Sequence, residues 1–235
     1  MSLPHEPHAV IFDMDGLIFD TEALYQRAFV EAAVLGGHDV PAAVIRQSVG
    51  VPWARGRGAM LAALGEGFPI DDYYDLMIER FEALAVSELQ LKPGVIELLD
   101  LLDTLELPRV IATSSSHETV RAHLAAHDLA HRFDAVIGEG DYAASKPAPD
   151  PYLVAAAHLG MPPGLCLALE DSHSGVRSAA AAGAMTIMVP DLVPPTDEIR
   201  ALCLCVAPSL HAVAALVAAA AGGDVAFGAA GSSLR

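Results

Sequence analysis

Short, almost wholly apolar runs recur along the chain and end in small or polar residues: Ala9–Phe12 before Asp13, Val110–Ala112 before Thr113, Ala135–Ile137 before Gly138, and Leu165–Leu169 before Glu170. Met185–Val189 and Leu202–Val206 continue the series. Runs of this length without strict alternation fit strands buried on both faces. Between them, apolar residues repeat at helical spacing over Gly94–Leu105, His117–His127, Pro151–Leu159 and Ser174–Ala182. Strands alternating with helices predict an α/β fold with a parallel sheet covered on both faces. Ligands of such sheets lie outside the carboxyl ends of the strands, so Asp13, Asp15, Thr113, Glu170 and Asp171 are expected at one rim.

The alternation breaks between about residues 20 and 90, where helical spacing dominates: Glu22–Leu35, Ala42–Ser48, Trp53–Leu64 and Asp71–Ala85. An all-helical insertion after the first strand reads as a small second domain hinged over the rim, able to exclude water from it. The expected division is a core of residues 1–19 and 88–224, a helical cap over 20–87, and a loose tail over 225–235.

One segment tests whether the chain is soluble. Ala201–Gly223 carries no formally charged residue and is long enough to cross a bilayer. Pro208, Ser209 and His211 interrupt it, which favours a short strand to Val206 followed by an Ala-rich helix, capped by Ser209 and running to Ala221.

Composition narrows the function. Hydrophobic residues are 53% and charged residues 18%, enough apolar sequence for a real core and too much for disorder. A formal net charge of −17 with only 13 Lys and Arg argues against nucleic acid and against anionic membranes. An acidic protein that binds an anion must supply local cations. Cys166, Cys203 and Cys205 form neither a CxxC pair nor an even set, and residues 1–7 show no signal pattern; both features fit a cytoplasmic protein with buried free thiols.

The chemistry concentrates at the strand ends. Asp13-Met14-Asp15-Gly16 sets two carboxylates two residues apart where a strand stops, with Gly16 permitting a tight turn. One can attack while the other moves protons. Thr113 with Ser114, Ser115 and Ser116 offers hydroxyls and backbone N–H groups at a helix entry, suited to phosphate oxygens, although a serine-rich helix cap would look the same. Lys146 sits in Ser145-Lys146-Pro147-Ala148-Pro149-Asp150, where the prolines stiffen a loop leading into a helix. Glu170-Asp171 adds two acids, and so many carboxylates at one rim call for a hard divalent cation, for which Mg2+ is the best match.

Together, Asp13-Met14-Asp15-Gly16, the Thr113 strand end, Lys146-Pro147-Ala148-Pro149-Asp150 and Leu169-Glu170-Asp171-Ser172 resemble the four ordered motifs of haloacid dehalogenase-like phosphatases. The resemblance spans about residues 8–220. It points to the branch that holds sugar-phosphate phosphatases, phosphoglycolate phosphatases and β-phosphoglucomutase. It implies a Rossmann-like core with a mobile helical cap and a Mg2+-dependent phosphoric monoester hydrolase acting on a small phosphorylated metabolite, as a monomer or weak homo-oligomer. In that reading Asp13 is the nucleophile and Asp15 the acid and base. Thr113, Ser114, Gly16 and Lys146 serve the phosphoryl group. Asp13, Asp15 and Asp171 hold the metal, and Glu170 either joins them or only orients Lys146. Dehalogenases of this fold lack the second acid of the first motif and need no metal, so Asp15 argues against that activity. A non-catalytic module would be expected to lack a motif acid, and none is missing.

Leaving-group selectivity is expected in the cap, with Tyr25, Val49, Trp53 and Tyr74 as candidates. A mutase must also clamp a second phosphate. At the places where β-phosphoglucomutases carry cap cations, spacing puts Val49, Trp53 and Tyr25, which favours hydrolysis. Arg55 and Arg57 are close enough to keep the mutase as the alternative.

Overall fold

The computed structural model describes residues 2–48 and 53–222, apart from the side chains of residues 54 and 55. Val49, the side chain of Arg55 and the expected tail over 225–235 lie outside the described residues. Strands β1 (Ala9–Phe12), β2 (Arg109–Ala112), β3 (Ala135–Ile137), β4 (Cys166–Glu170), β5 (Met185–Met188) and β6 (Cys205–Val206) form one parallel sheet in the order β3-β2-β1-β4-β5-β6. The helices are α1 (Thr21–Leu35), α2 (Ala42–Ser48), α3 (Trp53–Leu64), α4 (Ile70–Glu88), α5 (Val95–Thr104), α6 (His117–Ala126), α7 (Asp150–His158), α8 (His173–Ala181), α9 (Asp197–Leu202) and α10 (Leu210–Ala220).

The sheet starts at its centre. The chain builds outward through β2 and β3, then returns to place β4 on the other side of β1. A reversal of this kind opens a crevice at the carboxyl ends of the two strands that flank it, here β1 and β4. Both faces of β1 are covered. Val10 and Phe12 join Leu98, Leu102 and Val213 from α5 and α10, whereas Ala9 and Ile11 join Tyr152, Ala155 and Ala179 from α7 and α8. Burial on both sides is why the run is apolar throughout.

In the insertion, α1 and α4 lie against each other. Tyr25 stacks on Phe81 with ring centroids 3.8 Å apart, and the buried Tyr73 hydroxyl donates to the Phe29 carbonyl at 2.7 Å. Arg80 donates to Glu31 across the same pair at 2.6 Å. The two chain crossings run side by side. The N–H of Asp20 donates to the Gln90 carbonyl at 2.9 Å, and that of Lys92 to the Ile18 carbonyl at 2.8 Å. A pair of short antiparallel connections of this kind can act as a hinge.

The expected elements differ from the structure mainly at the C-terminal end. The run Leu202–Val206 is a strand only at Cys205–Val206, and Leu202 closes α9. Sequence spacing missed α9 because six residues span less than two turns. Its start is nonetheless marked by Thr196, whose hydroxyl accepts from the Ile199 N–H, followed by Asp197 and Glu198. Leu165 belongs to a short 3-10 turn before β4, and Glu170 is the last residue of that strand. Ser209 stands before α10 but makes no capping hydrogen bond. No described helix is long and apolar enough to cross a membrane. The three cysteines are free, and burial pushes the Cys166 and Cys203 thiols up to about 11. Cys203 follows α9 and lies outside any strand.

Candidate active site

Asp13 follows β1 directly, and its N–H completes the ladder by donating to the Leu169 carbonyl at 3.0 Å. The pairing of β1 with β4 therefore brings Asp13 level with Glu170 and Asp171. Oxygens of these three carboxylates lie within 4.8 Å of one another. Lys146 reaches them from the loop before α7, and its Nζ donates to Asp13 and to Glu170, each at 2.6 Å.

Glu170 is fully buried and heavily used. It accepts from Lys146, from the Tyr152 hydroxyl at 2.7 Å, and from the N–H and hydroxyl of Ser172 at 3.3 and 3.1 Å. Of the two roles open to it, this geometry matches orientation of Lys146. Ser172 also accepts from the Gly175 N–H at 3.1 Å and so starts α8. A Cβ on Gly175 would overlap the Glu170 carboxyl group. Gly175→Ala is accordingly expected to destabilise the fold by about 1–3 kcal/mol, the usual effect of overpacking, and to loosen Lys146. An unchanged unfolding midpoint in calorimetry would refute that packing argument.

Gly16 answers a similar need at the end of the first motif. Its φ of +80° is costly for other residues, and a Cβ there would overlap the Asp171 carboxylate. Asp15 follows two residues after Asp13 in the same turn. Its Oδ2 accepts from the Ser115 hydroxyl at 2.7 Å, while its Oδ1 is buried without a hydrogen-bond partner. The Thr113 hydroxyl is buried and accepts the Ser115 N–H at 3.1 Å, and the Tyr142 hydroxyl donates to the Thr113 carbonyl.

The electrostatics show too little positive charge. Burial, reinforced by Glu170 and only partly offset by Lys146, pushes the Asp13 carboxyl up to about 8. Burial, then Asp13 and Glu170, holds Asp171 well above the usual carboxylate range. Lys146 goes the other way. Burial alone would lower it, but its two carboxylate partners raise it above the ordinary lysine value, so it stays charged. One lysine against the buried Asp13 and Glu170 and the half-buried Asp171 leaves an all-oxygen donor set suited to a hard divalent cation.

Asp13, Asp15, Thr113, Ser114, Lys146 and Asp171 open into one cavity of about 1140 Å³ between the sheet rim and the helical insertion. Glu170 lies beneath it. Of the cap residues singled out by sequence, Tyr25, Trp53 and Tyr74 line the far wall, and Trp53 stacks on Tyr74 with ring centroids 4.0 Å apart. Met60, Met77 and Ile78 complete an apolar surface there, with Glu22 beside it. Among the described side chains of the insertion, no Lys, Arg or His reaches this cavity. Arg57 faces elsewhere: it donates to both oxygens of Asp71, at 2.9 and 2.7 Å, beside a separate shallow pocket.

Several site residues escaped the sequence reading. Tyr152 and Tyr142 gave no signal beyond proximity to a motif, and Ser172, although inside the fourth motif, was given no role. Lys92 lies on the second connection to the insertion, far from any motif in sequence. It donates at 2.7 Å to Asp191, whose other oxygen approaches Gly16.

A family profile for haloacid dehalogenase-like hydrolases matches residues 7–183. The protein CbbY of Rhodobacter capsulatus is 32% identical over 206 residues, which cover 83% of this chain and 91% of that protein. A phosphorylated carbohydrates phosphatase of Thermotoga maritima is 31% identical over 175 residues, covering 74% and 81% respectively. A crystal structure of a CbbY mutant from Rhodobacter sphaeroides, in complex with xylulose-1,5-bisphosphate, superposes with a TM-score of 0.73 at 28% identity, covering 87% of this chain and 95% of that one. Motif order, sheet topology and similarity over most of the chain agree, and the protein belongs to the haloacid dehalogenase-like hydrolases.

Proposed function

We propose that this protein hydrolyses a small sugar or polyol monophosphate, with residues 20–87 closing as a cap over a core formed by residues 1–19 and 88–224. The observation that carries the reading is the cavity itself. A nucleophile, an acid and a charged lysine stand on its floor, and its far wall is aromatic and apolar with no described cation. Such a wall suits the apolar face of a neutral leaving group, and hydroxyl groups find acceptors in Glu22 and Glu139.

The residues have separate tasks. A carboxylate oxygen of Asp13 attacks phosphorus, the bond to the leaving oxygen breaks, and that oxygen takes the proton held by Asp15 as the alcohol departs. Asp15, now a carboxylate, takes a proton from water while the water oxygen attacks phosphorus and the bond to Asp13 breaks. Inorganic phosphate leaves and Asp13 is restored. Lys146, held by Glu170, offsets the repulsion between Asp13 and the phosphoryl oxygens, and Thr113, Ser114 and the backbone at Gly16 border those oxygens. Asp13, the Asp15 carbonyl and Asp171 would hold Mg2+, which when bound supplies the remaining positive charge. The raised Asp13 and Asp171 carboxyls fit that group, because Lys146 only partly offsets burial and the neighbouring acids.

The test is a phosphate-release screen over sugar phosphates, polyol phosphates, phosphoglycolate and nucleoside monophosphates, with and without Mg2+. Absence of release from every ester would overturn the reading. A mutase reading has one observation in its favour, the bisphosphate bound to the related CbbY structure. Arg57 is poorly placed to hold a second phosphate, since Asp71 already takes both of its donating edges. Little conversion of β-glucose 1-phosphate to glucose 6-phosphate is therefore expected, even with a bisphosphate primer. Arg57→Ala should change phosphate release by less than about twofold, as for other exposed ion pairs. Efficient primed isomerisation without phosphate release would reverse the choice.

A further inference from the structure

The hydrogen bonds from Asp20 N–H to Gln90 and from Lys92 N–H to Ile18 tie the two chain connections to each other, but they do not fix the pair against the sheet. Contacts from either side of β1 do that. On the β2 side, the ring of Phe19 in the first connection packs 5.6 Å from that of His123 in α6 and 5.5 Å from that of His127 just after it. His127 Nε2 also donates to the Leu89 carbonyl of the second connection at 3.0 Å. On the β5 side, Lys92 of the second connection donates at 2.7 Å to Asp191, which lies in the loop after β5.

Lys92 is also 3.6 Å from Asp20, so two carboxylates compete for it. Their surroundings decide between them. The Asp20 side chain is 42% exposed, and a pair of that kind contributes little, whereas the Asp191 side chain is 9% exposed. Oδ1 of Asp191 accepts from Lys92, while its Oδ2 is buried with no hydrogen-bond partner. Withdrawing Lys92 would therefore leave a buried carboxylate unpaired, a costly outcome. The core end of the pair also packs against the site. A Cβ on Gly16 would overlap Asp171 Oδ2 and lie 3.4 Å from Asp191 Oδ2, so Asp191 stands beside the turn that carries Asp13 and Asp15.

We infer that Lys92 is a positioning residue for cap closure, anchoring the second connection to the core through Asp191 so that the insertion turns over the Asp13 turn about a fixed point. This rests on the phosphatase reading above and on the cap it assigns to residues 20–87. With α6 holding the connections on one side, the ion pair holds them on the other. Without it the connections keep their mutual hydrogen bonds but can shift against the rim, and fewer closures bring the Trp53 and Tyr74 wall into place over the phosphoryl group.

Trp53 is the one tryptophan of the chain and stands on the cap wall of the cavity, so its emission follows the cap independently of turnover. The experiment titrates wild type, Lys92→Ala, Asp191→Asn, the double variant Lys92→Ala/Asp191→Asn and Asp20→Asn with orthovanadate, a mimic of the phosphoryl group in transfer, in excess Mg2+. Each is also assayed for kcat and KM with the faster of glucose 6-phosphate and sorbitol 6-phosphate. Neither KM nor the vanadate concentration at half-saturation depends on the fraction folded, so partial misfolding alone would lower kcat and move neither. Lys92→Ala is expected to raise both about tenfold, a usual size for coupling through a hydrogen-bonded charge pair. Asp191→Asn should act in the same direction, and the double variant should be no worse than Lys92→Ala, because the two residues act as one unit. Asp20→Asn should change both by less than about twofold. An unshifted half-saturation in Lys92→Ala, losses that multiply in the double variant, or an Asp20→Asn effect as large as that of Lys92→Ala would overturn the inference. So would a Trp53 emission that vanadate leaves unchanged in wild type, since the cap would then not close on the phosphoryl group. A wild type that responds to vanadate yet releases phosphate from no ester would end the phosphatase reading, and the anchor would still be judged from Trp53.

Discussion

Asp13→Asn is expected to lower turnover by at least about 10⁴-fold and to abolish the covalent phosphoenzyme, because an amide oxygen is a poor nucleophile and the enzyme loses a step, not only a contact. The fold should survive. Asn can still accept from Lys146, and the substitution removes an anion that burial and Glu170 disfavour. The unfolding midpoint in metal-free buffer near pH 8 should therefore equal or exceed that of wild type. Quenched reactions with an aryl phosphate, followed by detection of acyl phosphate, would separate Asp13→Asn from Asp15→Asn, which should still form the intermediate. Near-normal turnover by Asp13→Asn would move the nucleophile elsewhere.

The second large effect concerns the metal. Excess chelator should abolish phosphate release and Mg2+ should restore it, since one lysine cannot balance Asp13, Glu170 and Asp171 and also receive a phosphate dianion. Stability gives a readout independent of turnover. In the metal-free fold Asp13 keeps its proton up to about 8, whereas the unfolded chain releases it near the ordinary value of 3.8. Between those limits the folded state binds more protons than the unfolded state, so stability falls as pH rises through this window. The raised Asp171 carboxyl works in the same direction. A cation that replaces those protons restores the stability, so the midpoint shift on adding Mg2+ should be larger at pH 8 than at pH 5. Full turnover in chelator, or a midpoint at pH 8 indifferent to Mg2+, would contradict the metal assignment.

Much of the architecture was legible along the chain. β1 and β3 match the apolar runs Ala9–Phe12 and Ala135–Ile137 residue for residue, β2 and β5 differ by one residue at one end, and β4 is shifted by one residue at both ends. Burial on both faces disfavours polar residues along most of a strand, so an apolar run reveals it; the buried exceptions Arg109 and Glu170 sit at strand ends, with Thr186 inside β5. The helices of the insertion were readable for a similar reason. In α4 the buried positions Ile70, Tyr73, Met77, Phe81 and Leu84 repeat at three and four residues. Elements with too little length or burial were missed or misjudged in extent: α9 was missed, and β6, expected over Leu202–Val206, is only Cys205–Val206.

At the site, the sequence by itself determined which groups are present and at which strand ends they emerge. Asp13, Asp15, Thr113, Glu170 and Asp171 follow buried runs, and a parallel sheet must bring those ends to one rim. Only the tertiary structure decided what each group is bonded to. Nothing local distinguishes Ser115 from Ser114 or Ser116, yet Ser115 meets a carboxylate 100 residues away while Ser116 caps a helix. Arg57 reads as a possible phosphate clamp, and the structure shows both of its donating edges on Asp71; Glu170 reads as either a metal ligand or the residue that orients Lys146, and the structure shows it accepting from Lys146, Tyr152 and Ser172. The reason is one of range. Periodicity and burial are set by neighbours within a turn or a strand, whereas a hydrogen bond depends on positions known to a few tenths of an ångström across loops whose paths are fixed by packing of the whole fold.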